Sequence, residues 1–220
     1  MRLLFTQLTL DTLSTFVTLR DQGLRNEPWE TLARAELTPE EQRVVAHVSA
    51  DLRRYQPSLV NEATVFARSI FPLLVLAEVE GVQAMADVAM SAQIGEVELA
   101  GTADGAIGRP IAGEIHAPFL VVVEAKRGVE SVSPVAQLYG ELLAGARLNA
   151  KETGASAQRL YGCYTVADNW TFIEMTVDDL NAARPTVTVI TSPELNEKVE
   201  AATIAKVLKS IVAPHRRLSA

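Results

Sequence analysis

The chain is poor in the residues that staple, ligate or anchor. It has one cysteine, Cys163, so no intrachain disulfide can form, and a lone thiol in an apolar stretch reads as a small core residue of a protein in the reducing cytoplasm. Its three histidines are scattered, and one cysteine cannot complete a spaced zinc set with them. Long apolar runs are also lacking. The longest, Ile70 to Ala77, is interrupted by Pro72 and falls well short of the ~20 residues of a membrane span, so a soluble protein is expected. Residues Met1 to Leu10 mix Thr6, Gln7 and Thr9 among hydrophobic positions and have no small-residue cleavage site, so no targeting signal is expected. Internal repeats and low-complexity tracts are absent. Basic residues are outnumbered, 20 Lys and Arg against 27 Asp and Glu, for a net charge of -7. That balance excludes a strongly basic coat, which supplies most sequence-independent affinity for nucleic acid. Nucleic acid would need a local basic groove and a bound cation.

What is present is core. With 220 residues, 48% of them hydrophobic, the chain can bury a full interior and is expected to form one domain with an appendage. The central element is Pro118 to Gly128, PFLVVVEAKRG. The unbroken apolar run Phe119 to Val123 reads as a strand buried on both faces. Glu124 and Lys126 follow it two residues apart, so strand alternation points both to one face with Ala125 opposite. An acid and a base at the end of a buried strand cost desolvation energy unless paired or bound. A strand-end salt bridge is the simplest account. The stretch upstream offers another. Val97, Leu99, Ala103 and Ile107 read as one apolar face, with Glu96, Glu98, Thr102 and Asp104 on the other and Gly101, Gly105 and Gly108 around them. Glycines inside a strand indicate bends or close approach. A long loop from Arg109 to Ala117 would return the chain antiparallel, bringing Asp104, Glu124 and Lys126 together.

Gly-Thr-Ala-Asp104 followed by Val-Val-Val-Glu124-Ala-Lys126 resembles the PD-(D/E)xK nuclease superfamily, with its restriction-endonuclease-like fold. Asn61-Glu62-Ala63-Thr64 with Arg68-Ser-Ile-Phe-Pro-Leu-Leu resembles the helix before the core sheet in the nuclease domain of type I restriction motor subunits. Ser133-Pro134-Val-Ala-Gln137-Leu-Tyr139-Gly140 resembles the helix carrying that group's glutamine. The likeness covers Asn61 to about Ala150. Glu141 departs from the tyrosine that RecB-like relatives place four residues after the glutamine, and Tyr139 does not restore that spacing.

The resemblance implies an α/β protein with a restriction-endonuclease-like central mixed sheet flanked by helices (58–220) and an N-terminal helical extension (1–57). It further implies a magnesium-dependent nuclease hydrolysing phosphodiester bonds in DNA, serving restriction, defence or repair, with manganese able to substitute. Asp104, Glu124, Lys126, Gln137 and Glu62 would be its catalytic residues. Asp104, Glu124, the Ala125 carbonyl and Glu62 would surround the metal. Magnesium prefers oxygen ligands and retains waters, so two carboxylates and a carbonyl suit it as a partial shell. Lys126 would orient or deprotonate the attacking water, and Gln137 would touch phosphate or Lys126 without adding charge. Glu62 has an alternative as a helix-dipole partner in a first turn. A catalytically silent module of the same fold, binding nucleic acid or a protein partner, remains open. So do a two-fold dimer and a subunit of a larger complex.

Elsewhere the signals are structural. Thr9 to Tyr55 reads as helical, with Leu10, Leu13, Phe16 and Val17 on one segment and Thr38-Pro39-Glu40-Glu41 starting another. Trp29 and Leu32 fill the junction, and Arg53-Arg54 fits a solvated helix face or a phosphate contact. Gln83 to Ile94 alternates in imperfect register as a first strand. Ser133 as N-cap and Pro134 start the glutamine helix. Arg159 to Val166 and Trp170 to Val177 read as strands joined by a turn at Asp168, and Val187 to Ile190 as a short edge strand. Ser192-Pro193-Glu194 would open a last helix whose end, with Lys206, Lys209, His215, Arg216 and Arg217, is basic. Dipole complementation and a DNA-contacting tail both account for that charge.

Overall fold

The apolar run ahead of Glu124 becomes the middle of a sheet. A computed structural model describes residues 1–126, 128 and 134–216. In chain order its strands are β1 (Arg2–Leu4), β2 (Thr18–Leu24), β3 (Gln83–Ile94), β4 (Val97–Ile111), β5 (Glu114–Lys126), β6 (Gln158–Val166), β7 (Asn169–Asp178), β8 (Thr186–Thr191) and β9 (Leu195–Asn196). They form one mixed sheet in the order β1-β4-β5-β6-β7-β8-β2, with β3 on β4 and β9 on β7. The helices are α1 (Leu10–Phe16), α2 (Trp29–Leu32), α3 (Pro39–Leu52), α4 (Glu62–Val65), α5 (Phe71–Val75), α6 (Pro134–Thr153) and α7 (Glu197–Val212). A π-helical turn, Phe66–Ile70, joins α4 to α5.

Strand β5 shows why the run must be apolar throughout. Val122 packs toward α6 on one face, while Val121, Val123 and Ala125 pack with α3, α5 and α7 on the other. Both faces are covered, so each residue gains burial worth about 1.5–3 kcal/mol for a Val- or Leu-sized side chain. Helix α6 can lie close because Gly140 leaves room for Leu8, whose side chain fills the place a Cβ would take.

Several local signals act as read. Thr38 caps α3 with a complete capping box, Asn61 caps α4 through the Thr64 N–H at 2.8 Å, and β6 and β7 form a hairpin across Ala167-Asp168. Cys163 is a wholly buried core residue. Among the described residues no helix is long and apolar enough to cross a membrane.

Other readings need correction. The N-terminal stretch is helical only in part, because β1 pairs parallel with Glu98–Ala100 of β4 and β2 pairs parallel with β8. Those partners are distant in sequence, and local periodicity carries no trace of them. Strand β8 is therefore covered by β2 instead of lying at an edge. The expected long loop before β5 is a two-residue turn, Ala112 at φ 50° and Gly113 at φ 87°, the geometry of a type I′ hairpin. Register shifts around Gly108 take up the extra residues. The last helix starts later than read: Leu195–Asn196 adds a strand to β7, and Asn196 then caps α7 through the Lys198 N–H at 3.1 Å. The Ser133 cap and Arg217 lie outside the described residues.

The basic residues are largely committed to the fold. Lys209 holds Glu41 at 2.6 Å and ties α7 to α3, and the Arg53 guanidinium donates to the Lys198 carbonyl at 2.7 Å. Asp168 accepts from Lys198 at 2.8 Å beside its turn.

The seat of α7 holds a buried acid. Glu197 is fully enclosed, its Oε2 accepting from the Trp170 indole N–H at 2.7 Å. Burial is the largest influence and lifts its carboxyl from 4.5 to about 7, against the lowering effect of the Trp170 bond. Between those two values the folded chain keeps a proton that the unfolded chain has released. The stability that Glu197 contributes must therefore fall as pH rises from about 4.5 to about 7. Glu197→Gln should remove its share of this fall, read as a smaller loss of melting temperature between pH 5 and pH 7.5 than in the parent chain. An equal loss in both proteins would show that Glu197 titrates normally.

Candidate active site

The site opens where β4 loses its neighbour. One edge of β4 is paired with β3, and its other edge is shared by β1 at Glu98–Ala100 and β5 from Gly105 onward. Gly101 to Asp104 lie between those two ladders. There the Asp104 Oδ2 accepts the Ala125 N–H at 2.7 Å, so a side chain replaces the backbone partner and the strands part.

Both strands of the β3–β4 ribbon reverse their facing at this level. Val97, Leu99 and Ala103 face the α6 side, but Ile107 faces the other, which corrects the single apolar face read from sequence. In β3, Val88, Met90, Ala92 and Ile94 face α6, whereas Ala84 faces away. The switch in β3 occurs at Asp87, at φ 52° and directly across from Asp104 in the register. The imperfect alternation in the sequence of β3 is the mark of this reversal.

The strand-end pair predicted from sequence forms here with additional partners. Glu124 is completely buried. Its Oε1 meets the Lys126 ammonium at 2.6 Å as an ion pair, and its Oε2 accepts from Gln137 Nε2 at 2.7 Å. Gln137 also donates to Glu141 Oε1 at 3.1 Å. Gln137 thus bridges two carboxyl groups, where the sequence placed it against phosphate or Lys126. Glu62 stands on the first turn of α4 and lines, with Asp87, Asp104 and Ala125, a cavity of about 340 Å3. Phe66 forms another wall. Asp87, Phe66 and the contact to Glu141 are the site features that sequence reasoning missed.

Negative charge accumulates in little space. Burial and the charge of Asp104 raise the Glu124 carboxyl to about 7, against the lowering effect of Lys126. Asp104 is raised first by burial and further by Glu62 and Asp87, while the Ala125 N–H and Lys126 oppose this. Burial and Glu124 hold Glu141 well above the ordinary carboxyl range. For Lys126 burial acts downward, but the Glu124 carboxylate more than reverses it and the ammonium is raised.

Among the described residues no three His, Cys, Asp or Glu side chains gather as a metal-holding group. The donor set nonetheless suits a hard cation that keeps several waters. Asp104 raises the Glu124 carboxyl, Glu62 and Asp87 raise Asp104, and the donors are oxygens. No protein-family model matches the chain, and no curated protein matches it.

Repulsion of this kind costs stability. Asp104→Asn keeps an oxygen for the Ala125 N–H and removes one negative charge. It should raise the melting temperature at pH 8 by about 2–4 °C, corresponding to ~1 kcal/mol for a chain of this size. An unchanged or lower melting temperature would mean that the acids do not strain the fold.

Proposed function

We propose that the chain is a divalent-cation-dependent phosphodiesterase of the PD-(D/E)xK nuclease kind, with a restriction-endonuclease-like sheet, acting on DNA. The observation that carries this reading is the convergence of Asp104, Glu124 and Lys126 where β4 and β5 part, with Glu62 across the cavity. Asp104, Glu124, the Ala125 carbonyl and Glu62 would hold the ion, magnesium or manganese. Bound there, it supplies an acidified water and neutralises charge on the phosphoryl oxygens.

The chain's own groups divide the remaining work. Lys126 retains its proton, since its carboxylate partner raises its pKa. Its ammonium therefore serves to position water and meet the charge developing on phosphate, rather than to act as a base. Gln137 fixes the Glu124 carboxylate by donating to one oxygen and leaves the other to Lys126. Burial and the neighbouring Glu124 hold the Glu141 carboxyl well above its ordinary range, which favours its protonated form behind the pair.

A second reading keeps this fold without catalysis, as a module that binds nucleic acid or a protein partner. It is favoured by the complete burial of Glu124, already held by Lys126 and Gln137, and by the net charge of -7. The two are separated by incubating the chain, Asp104→Ala and Lys126→Ala with supercoiled plasmid and with labelled single-stranded DNA and RNA, in magnesium, manganese or EDTA. The phosphodiesterase should cut with either metal and not in EDTA, and each substitution should reduce the rate at least ~100-fold. Cutting that survives both substitutions would falsify the assignment of the centre. Absence of cutting, with calorimetry showing no cation binding, would leave the silent module.

A further inference from the structure

Beside the acids, the cavity is walled by an aromatic ring, that of Phe66. Phe66 is only half buried, although Ile70, Leu73 and Leu74, further along the same helical segment, are fully enclosed. Three features converge on it. The π-helical turn begins at Phe66, and such turns occur frequently at functional sites. Beneath the ring lies Gly105, where a Cβ would come within 2.9 Å of the Phe66 Cζ, so the ring occupies space that only glycine leaves. And Phe66 shares its cavity with Asp104 and Ala125, the residues at the parting of the strands.

We propose that Phe66 is a stacking platform for the base next to the reacting phosphodiester, so that the substrate is single-stranded or locally unpaired nucleic acid. This rests on the phosphodiesterase reading and adds the substrate class to it. The cavity of about 340 Å3 lies near the lower end of the ~300–1,000 Å3 usual for small-molecule pockets, room for about one nucleoside and not for a duplex. A base inside a duplex has both faces stacked, and an aromatic side chain can reach one only after it leaves the stack. Asp87, which takes no part in holding the ion, lines the same cavity and is an acceptor that can receive a base's amino hydrogens. Stacking is tolerant of sequence because every base has a π-face.

The test uses the full chain carrying Asp104→Asn to stop chemistry, with fluorescein-labelled single-stranded and duplex oligonucleotides of one sequence, in magnesium. The single strand should bind more tightly than the duplex. Phe66→Leu, added to that chain, should weaken single-strand binding about 5- to 100-fold, and Phe66→Tyr should preserve it. A 2-aminopurine placed at successive positions should be quenched at one of them by the chain with Phe66 intact, a readout independent of whether Phe66→Leu folds. Unchanged single-strand affinity in a folded Phe66→Leu chain, no position-specific quenching, or a preference for duplex would each overturn the platform. If duplex cutting by the native chain persists in those cases, the phosphodiesterase reading stands without it. If the native chain neither binds nor cuts either form, both are lost.

Discussion

A carboxylate in the middle of a sheet is the constraint to which the surrounding structure answers. Glu124 has no exposed surface, and an ionised acid there is tenable only with partners. Lys126 supplies the charge from the same strand, two residues on, because alternation returns it to the same face. Gln137 supplies the hydrogen bond from α6, which lies close because Gly140 on the same helix makes way for Leu8. The N-terminal segment, the long helix and the central strand are thus joined in the support of one side chain. Removing either partner would leave a buried charge to be neutralised by a proton, and a carboxyl already raised to about 7 would take one readily.

Asp104 imposes the second constraint, one of geometry. By accepting the Ala125 N–H it substitutes for the backbone of β4 just where the β4–β5 ladder stops at Gly105–Val123. The reversal of facing in β3 and β4 occurs at the same level, with Asp87 in a left-handed conformation across from Asp104. Like charges directly opposite on neighbouring strands disfavour pairing, and a non-glycine residue at φ 52° carries a conformational cost. The sheet retains this arrangement because each strand is locked on either side of it. Val88 to Ile94 and Val97 to Ala103 pack under α6 in one direction, and the ladder continues through Gly105 to Gly108 in the other.

Much of this was legible because it is local. The helix start at Thr38, the helix start near Asn61, the β6–β7 turn and the doubly apolar β5 each depend on residues within a few positions of one another. The Glu124–Lys126 pair was readable for the same reason, since two residues of strand fix their relation. Placing β1 and β2 in the sheet was not readable, because each depends on a parallel partner far along the chain and neither is long enough to show its own period. Asp87 was hidden by its own effect: it shifts the alternation by one, so the sequence of β3 looks merely irregular. Phe66 falls on a helical stripe with Ser69 and Leu73, both buried, so periodicity alone makes it a core residue. The π-helical turn and the missing Cβ of Gly105, neither visible in a periodicity of 3.6, give its ring a second neighbour in the cavity.

If the chain acts on nucleic acid as proposed, an acidic protein must be matched to an acidic substrate. Its cations are mostly spent on structure: Lys209 on Glu41, Lys198 on Asp168, Arg68 on Asp51 and Arg109 on Glu152. Long-range attraction for a phosphate backbone is therefore weak, and affinity has to arise at close range. On the proposed reading, a cation held by Asp104, Glu124 and Glu62 would offset their charge, Lys126 would contribute one positive charge beside it, and an uncharged base would gain contact with Phe66. Stacking is little affected by net charge, whereas phosphate contacts decline steeply as salt rises. A site working in this way would select for strands whose bases are accessible, because the base would supply the part of the binding that the charge balance of the chain withholds.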